Sequence, residues 1–566
     1  MLGLALITGC TETPTSPETI TALCQSEITP IADLQGSGYT SPFEGTGSTV
    51  RGVITRVLEG EGAYLEESGL QRSPDRSKAI FVSDKELSLN VLPGEQVVIS
   101  GRVSELGSSR DTLTSLSDVS EYQTCAENRE LPLTPAELPL NSTEREAFEG
   151  MRLSFYQELT VSDVYNLYRG ELTLSSGGIL RVPTEVRTPG AGAMALAREN
   201  RDQSLVVARP DSGNGAISVG STIGVATGVM GHDGRNQQLL LGVARFDSAP
   251  APELPEPLAD GAIRIVNSNL LNFFNGDGRG GGFPTERGAE SLEDFIAQSA
   301  RIRAAMAIMQ PDLLAVQELE NDGFGPDSAA HSLLEILDEA TGGGWAVVTP
   351  QSGRIGGDVI TVGLFYREKV LEPFGPATVL DGPEFQQLNR QPLTQLFRER
   401  RTGKKFLVAV NHLKSKGRCP DDGENSDQQD GQNCWNHARL SAVGAQVPWL
   451  EKLAGEMGTE NILILGDMNA WRKEDPIRQF SESGYVDLVE QVSGLPQHSF
   501  LYWGQTGTLD YAFASSALAG YAKRAEIWHI NATWPQKMVQ AQPWLRASDH
   551  DPVIVDFDFS HSATSD

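Results

Sequence analysis

Apolar and polar positions alternate in short runs along the first part of the chain. Residues 24–130 contain TVRGVITRVL (49–58), AIFVSD (79–84) and EQVVISGRVSEL (95–106), separated by Gly, Ser and Pro turns and with no long helical pattern. About five short strands in about 100 residues predict a small OB-like β-barrel. Residues 131–247 repeat the theme with MRLSFYQELTVSDVYN, GELTLSS, TIGVATGVMGH and QQLLLGVARFD. These runs predict a second β-rich, OB-like domain. The stretch SAPAPELPEPLADG (248–261) is proline-rich and acidic and reads as a linker.

Beyond the linker, over 262–560, strands and helices interleave. AIRIVNSNLLNFF (262–274), LLAVQELEND (313–322), ITVGLFYR (360–367), KFLVAVNHLKSKG (405–417), NILILGDMNAW (461–471) and LDYAFAS (509–515) read as strands. The last strand, around Val553, Val555 and Phe557, follows Pro552, which suits a strand start. Between 291 and 312, Phe295, Ile302, Met306 and Met309 fall near helical spacing, with Ser291 as N-cap, Asp294 as its box partner and Pro311 as the stop. A second helix is predicted over 437–457. Mixed strands and helices over about 300 residues predict one α/β or α+β sandwich.

A net charge of −30 argues against a broad electrostatic grip on DNA or on an anionic membrane. It leaves room for a local basic groove, or for divalent cations that invert the sign at one site.

The N-terminus reads MLGLALITGC, an apolar run too short to span a bilayer and lacking the basic start of a signal peptide. LITGC resembles a bacterial lipobox, which makes Cys10 a lipidation site and TETPTSPET (11–19) a tether, with 1–23 set apart from the folded chain. Export follows, either as an outer-membrane or cell-surface lipoprotein or as a secreted protein. Four of the five cysteines then remain. Cys419 and Cys434 bracket a polar, acidic loop of 14 residues that needs a staple. A Cys419–Cys434 disulfide is expected there, and Cys24–Cys125 by elimination. Free thiols or zinc ligands are the weaker reading, since there is no C-x-x-C pair and no tight Cys/His cluster.

The chemistry gathers where apolar strands end. Asn269, Glu318, His412, Asp467, Asn469, Asp510, Asp549 and His550 all sit at such ends. Each alone is more readily a turn residue. Together they are a carboxylate set with two histidines on a scaffold whose strand ends are rigid. Asp551 reads as a turn carboxylate before Pro552.

In this order the set resembles the endonuclease/exonuclease/phosphatase superfamily of pancreatic-type deoxyribonucleases, abasic-site endonucleases, sphingomyelinases and inositol-polyphosphate phosphatases. LLNFFNGDGRGGGFPTERGA, NRQPLT, VNHLKSKG and the Cys434-Trp435 pair resemble, more narrowly, large secreted bacterial extracellular nucleases with β-barrel domains ahead of the catalytic one. The resemblance implies a four-layer α/β sandwich with two packed mixed sheets. It also implies a divalent-metal-dependent hydrolase that cuts phosphodiesters of DNA or RNA, with a phosphatase or phospholipid phosphodiesterase as the alternative.

Phosphodiester hydrolysis needs charge neutralisation, an activated water and a protonated leaving oxygen. Glu318 and Asp549, helped by the amide of Asn269, form a ligand set for Mg²⁺ or Mn²⁺, with Ca²⁺ as a further ion. His550 is the expected general base, oriented by Asp510, and His412 the acid or the phosphate-binding partner. Asp467 and Asn469 position water and phosphate, and family members differ over whether His550 or Asp467 activates the water. Softer candidates are Asp358 as a partner of His412, Tyr366 and Arg390 at the phosphate, and Lys414 and Lys416 at the nucleic-acid backbone or on a solvated face. The GDGRGGGFP loop (276–284) lacks the G-K-[ST] of a P-loop but could carry Arg279 and Arg287 toward substrate.

No aromatic run in the catalytic segment suggests a hairpin that enters lipid, which weighs against a sphingomyelinase. A binding protein with a dead catalytic domain would lack a catalytic residue, and none is lacking. The barrels are acidic and aromatic-poor, so a spacer role fits them at least as well as strand binding. No obligate protein partner is evident.

Overall fold

The computed structural model describes residues 22–69, 74–108, 111–208, 217–234, 236–494, 497–536 and 542–560. The expected lipidation site Cys10 and the tether 11–19 lie outside them. The chain divides into two compact units, one running to Tyr156 and including Ala226–Gly242, the other made of Gln157–Val225 and Val243 onward.

In the first unit, β1 (Gly47–Leu58), β2 (Gly62–Glu66), β3 (Ala79–Val82), β4 (Gln96–Ser108) and β5 (Asp111–Ala126) close a barrel in the order β1-β2-β3-β5-β4. The predicted alternation is what fills it: Val50, Ile54, Leu65, Ile80, Val97, Ile99 and Leu116 point inward into one apolar core. A short helix, α1 (Lys85–Asn90), joins β3 to β4 and is capped by Asp84, whose side chain accepts the N–H of Leu87. A disulfide links Cys24 to Cys125 at the end of β5. Glu149 is buried in this unit, its Oε1 accepting from Gln35 Nε2 and from the N–H of Thr114, both at 3.0 Å. Burial pushes its carboxyl well above the usual range, and Glu146 and Glu105 push the same way.

Residues 131–247 do not form a second barrel. Their elements are β6 (Thr134–Ala136), β7 (Arg152–Phe155), β8 (Leu159–Asp163), β9 (Glu171–Ser175), β10 (Leu180–Arg181), α2 (Ala191–Gln203), β11 (Ser204–Ala208), β12 (Thr222–Ile223), β13 (Ala226–His232) and β14 (Gln237–Leu241). In the first unit the order is β14-β13-β7-β6, and in the second β12-β8-β9-β11. The predicted domain is therefore divided between the units. Alternation reports which face of a strand is buried and says nothing of which strand it pairs with, so the sequence pattern could not show this division.

The second unit contains the sandwich. One sheet of six strands has β15 (Ile263–Phe273) and β16 (Leu313–Glu320) at its centre, beside β18 (Ile360–Arg367) and the edge strand β17 (Trp345–Val347). The other has seven, from β19 (Leu371–Pro373), β20 (Thr378–Val379), β21 (Leu393–Glu399), β22 (Lys405–His412) and β23 (Ile462–Asp467) to β24 (Tyr485–Asp487) and β27 (Asp510–Ser515). A hairpin of β25 (Phe500–Tyr502) and β26 (Gln505–Gly507) precedes β27. The chain then returns to the first sheet, whose order runs β17-β18-β16-β15-β29-β28 with β28 (Ala522–Ile527) at the edge and β29 (Val553–Phe557) inside.

Alternate residues of each strand face opposite layers. Leu313 and Ala315 of β16 meet Val408, Val410 and Leu463 of the other sheet in a shared core. Leu314 and Val316 pack outward against Ile302 and Met306 of α3 (Leu292–Met309) and Leu333 of α4 (Ala329–Thr341). On the far side Leu407, Ala409 and Ile464 pack against Val443 and Leu450 of α5 (Asn436–Met457). The layers are helix, sheet, sheet, helix, as expected. Ser291 caps α3 as predicted, accepting the N–H of Asp294.

Candidate active site

Three side chains stand in a row across the second sheet. The parallel register of β22 and β23 pairs His412 with Asp467, and the antiparallel register of β23 and β27 pairs Asp467 with Asp510. In the first sheet β15 and β16 are parallel, with Asn269 opposite Gln317. The next residue, Glu318, has φ 61° where the register of β16 on β18 shifts between Val316 and Leu319. A bulge of this kind re-aims a side chain at the cost of local strain, and such strain collects at functional sites.

The two sheets meet at an amide. Asn269 Nδ2 donates to Asp467 Oδ2 at 3.3 Å, and its side chain also hydrogen-bonds Glu318. Its Oδ1 accepts the N–H of Leu271 at 3.0 Å. Asn269 thus bridges the carboxylates, with its oxygen already engaged. Asn469 serves Asp467 from the other side, donating its N–H to Oδ1 at 2.8 Å and its Nδ2 to Oδ2 at 3.2 Å.

His550 is held from both faces. Its Nδ1 lies 2.7 Å from Asp510 Oδ2, and its Nε2 points to Asp467 Oδ2 at 4.0 Å. The ring of Phe500 stacks obliquely on it at 4.5 Å. Asp510 is fixed by Ser499, whose Oγ accepts the N–H groups of Leu509 and Asp510 at 2.9 and 3.0 Å. His412 places Nε2 at 3.5 Å from Asp467 Oδ2 and 3.9 Å from Glu318 Oε1, while its buried Nδ1 has no protein partner.

Burial and neighbours set the charges. Burial disfavours the His550 cation, but Asp510 and Asp467 outweigh it and raise the ring well above the usual imidazole range. Burial lowers His412 well below that range, and Arg390, His550, Arg287 and Lys414 lower it further, so this ring is neutral. Burial raises Asp467 to about 7, and Asp510 and Glu318 raise it while His550 opposes. Glu318 is raised by burial and then by Asp549. The carboxylates Asp467 and Glu318 thus lie beside His412, and the cations Arg390, Arg287 and Lys414 act on the same ring.

The softer candidates separate. Arg390 belongs to the site, and it is Arg390, not His412, that Asp358 holds, accepting from its Nε at 2.9 Å. Arg287 lies 3.9 Å from the same carboxylate. Tyr366 does not come near. It pairs with Leu313, at the opposite end of β16 from Glu318, and its ring packs on Phe397 in the core between the sheets. Arg279 turns away to Asp327 at 2.6 Å. Lys416 is neither a backbone contact nor a solvated cation. It is part-buried, donating to Glu474 at 2.5 Å and to the carbonyl of Gln432 at 2.8 Å. Lys414 lies half-buried over the Trp435 ring. The Cys419–Cys434 disulfide closes the acidic loop as expected.

Two features go beyond the sequence reading: the first had no signal there, and the second stands in it as FLYW (500–503). Asp551 is fully buried and accepts the N–H groups of Asn531 and Ala532 at 2.6 and 3.1 Å. Asn531 in turn donates to the carbonyl of His550 at 2.6 Å and accepts the N–H of Ser548 at 3.2 Å, so this pair pins the turn that carries Asp549 and His550. Asp551 is therefore more than a turn residue. The second feature corrects the expectation that the catalytic segment has no aromatic run. Phe500, Tyr502 and Trp503 form one, and Tyr502 and Trp503 are exposed.

Residues 157–225 also reach the sandwich. β10 pairs with β26, and Glu185 accepts from Arg472 Nε at 3.0 Å and from the N–H of Thr508 at 3.0 Å. The hydroxyl of Thr184 donates to Glu474 at 2.8 Å.

A deoxyribonuclease of Thioalkalivibrio sp. (strain K90mix) is 24% identical to this chain over 269 residues, 44% of this chain and 63% of that protein. The chain thus spans less than two thirds of that relative's length. Among solved structures, the catalytic domain of human Nocturnin with bound sulfate is similar at 17% identity and a TM-score of 0.35, covering 54% of this chain and 97% of that one. A mannosyl-6-phosphatase from Bacteroides thetaiotaomicron is similar at 17% identity and a TM-score of 0.36, covering 52% and 98%. Residues 268–550 match the Endonuclease/Exonuclease/phosphatase family. The match opens one residue before Asn269 and closes on His550, so it encloses the whole cluster, and the chain belongs to the endonuclease/exonuclease/phosphatase family.

Proposed function

We propose that the protein is an exported, divalent-metal-dependent endonuclease that hydrolyses phosphodiester bonds of DNA or RNA. The observation that carries this reading is the Asp510–His550 pair at 2.7 Å, set beside Asp467 in a cluster that also holds Glu318 and His412. The similar deoxyribonuclease supports nucleic acid as the substrate, and the two disulfides support an oxidising compartment.

A metal ion fits the carboxylate side. Glu318 and Asp549 present hard oxygens close enough to repel one another in a largely buried setting, which a Mg²⁺ or Mn²⁺ ion relieves. Such an ion, with Ca²⁺ as a further candidate, would neutralise charge on phosphoryl oxygens. Asn269 bridges the carboxylates through its Nδ2, and its Oδ1, which accepts the Leu271 N–H, keeps a second lone pair that an ion could use.

The chain's own groups supply the rest. The imidazole of His550, held by Asp510, takes the attacking water's proton at Nε2 when the ring is neutral, a form that a cation bound among the carboxylates would favour, with Asp467 Oδ2 facing the same space. The neutral His412 offers its ring as a hydrogen-bond donor to a phosphoryl oxygen, which favours the phosphate-binding role over the acid role. Arg390 and Arg287 bring positive charge to the same oxygens. The first-unit barrel we read as OB-type from its strand order and the α1 connection, with a spacer role.

Incubating the purified full chain with supercoiled plasmid and Mg²⁺, with EDTA, and as His550→Ala tests the reading. Nicking that needs the metal and is lost in the variant supports it. Hydrolysis of a sugar phosphate or a phospholipid, with every nucleic acid left intact, overturns it.

A further inference from the structure

The β25–β26 hairpin carries two aromatic rings that the chemistry at His550 does not use. Its two-residue turn is Trp503-Gly504, with φ 49° and 72°. Positive φ at both positions is the type I′ turn, which favours Asn-Gly or Asp-Gly, and a bulky residue there is held against its preference. No burial compensates, since Trp503 is 80% exposed and Tyr502 is 44% exposed. A strained, exposed tryptophan adds little to its own fold and is free to meet a ligand.

The hairpin is held in place. β26 pairs with β10, and Asp163 accepts the N–H groups of both Gly504 and Tyr165. Tyr165, hung from the same carboxylate, is 63% exposed. At the other end of β25, Phe500 lies against His550 at 4.5 Å. Three strand residues, about 3.3 Å each, separate Phe500 from Trp503 by roughly 10 Å. That is about three base steps at the 3.4 Å rise of one DNA strand.

We propose that Trp503, with Tyr502 and Tyr165, forms a base-stacking subsite for single-stranded nucleic acid beside the catalytic cluster. The proposal rests on the nuclease reading of that cluster. With a net charge of −30, the chain cannot draw its grip on a polyanion from broad phosphate neutralisation. Aromatic stacking needs no positive charge and accepts any base. Duplex bases are already stacked on each other, so the platform selects strands whose bases are open. A tip built to enter an anionic membrane would set basic residues beside its rings. Here the side chain fixing the tip is Asp163.

The test uses the full chain with a labelled oligothymidylate, a matched duplex and the small diester bis(p-nitrophenyl) phosphate. Trp503→Ala is expected to raise KM for the oligothymidylate about 5- to 150-fold, the range of one stacked base. Hydrolysis of the small diester should be unchanged, and Trp503→Phe should keep most of the parent's single-strand preference. Cleavage of nucleic acid with the same KM in parent and Trp503→Ala overturns the subsite and leaves the nuclease reading standing. A parent that cleaves no nucleic acid overturns both. An equal loss on the small diester makes the hairpin a mere support for His550 and overturns the subsite. Binding of parent, and not of Trp503→Ala, to phosphatidylglycerol/phosphatidylcholine vesicles overturns it in favour of lipid.

Discussion

His550 lies with its Nδ1 2.7 Å from Asp510 Oδ2, the carboxylate opening β27 of one sheet and the imidazole sitting on the turn that leads into β29 of the other. The pair fixes both the ring's tautomer and its direction, leaving Nε2 free for proton transfer. Asp510→Asn is expected to lower kcat on plasmid by about 10²- to 10⁴-fold. Its thermal unfolding should stay close to the parent's, because the amide keeps the shape of the side chain. A loss of fold in place of a loss of turnover would count against this role.

Asp551 pins the turn before His550 through Asn531. Asp551→Ala leaves the buried N–H groups of Asn531 and Ala532 without their acceptor, at a cost of roughly 1–3 kcal/mol. Urea unfolding should report that loss. Turnover measured well below the unfolding transition should fall as well, since the same turn carries Asp549.

Glu149 should make the stability of the barrel unit depend on pH. Its folded carboxyl lies above its ordinary value of 4.5, so between that value and the folded one the native state holds a proton the unfolded chain releases. Stability therefore falls as pH rises through this window. Glu149→Gln keeps an oxygen for Gln35 and Thr114 and removes the buried charge. The variant is expected to match the parent below about pH 4 and to exceed it by a margin that widens as pH rises, read by urea unfolding. A constant offset at every pH would refute the assignment.

The buried Glu474 pairs with the part-buried Lys416, with the buried Arg439 nearby. Removing the carboxylate in Glu474→Ala strands buried positive charge, at about 3–5 kcal/mol. The double variant Lys416→Met/Glu474→Leu should recover much of that loss. Equal destabilisation in both variants would mean that packing, not charge, is what the pair supplies.

The strands of the site were legible because apolar runs such as LLAV, FLVAV and ILIL give way abruptly to polar residues: Glu318, His412 and Asp467 follow such runs, Asp510 opens β27 and Asn269 lies within β15. What the pattern could not show was distance across the fold. Tyr366 lies on a well-predicted strand, but periodicity does not say which end of a strand faces the site. Lys416 looks like a free cation until Glu474, 58 residues on, is folded against it. Asp551 reads as a turn because its partners, Asn531 and Ala532, come from a distant loop. Trp503 was passed over because two turn residues have no periodicity to read.

The contribution of residues 157–225 to the second unit bears on how this protein can be cut and recombined. An expression fragment begun at the proline-rich linker would contain every residue of the catalytic cluster, yet it would leave β26 without β10 and the Arg472 guanidinium without Glu185. It would also free the tip of the hairpin from Asp163. The boundary that looks natural on paper therefore runs through a shared architecture, and a working fragment has to begin no later than about Gln157.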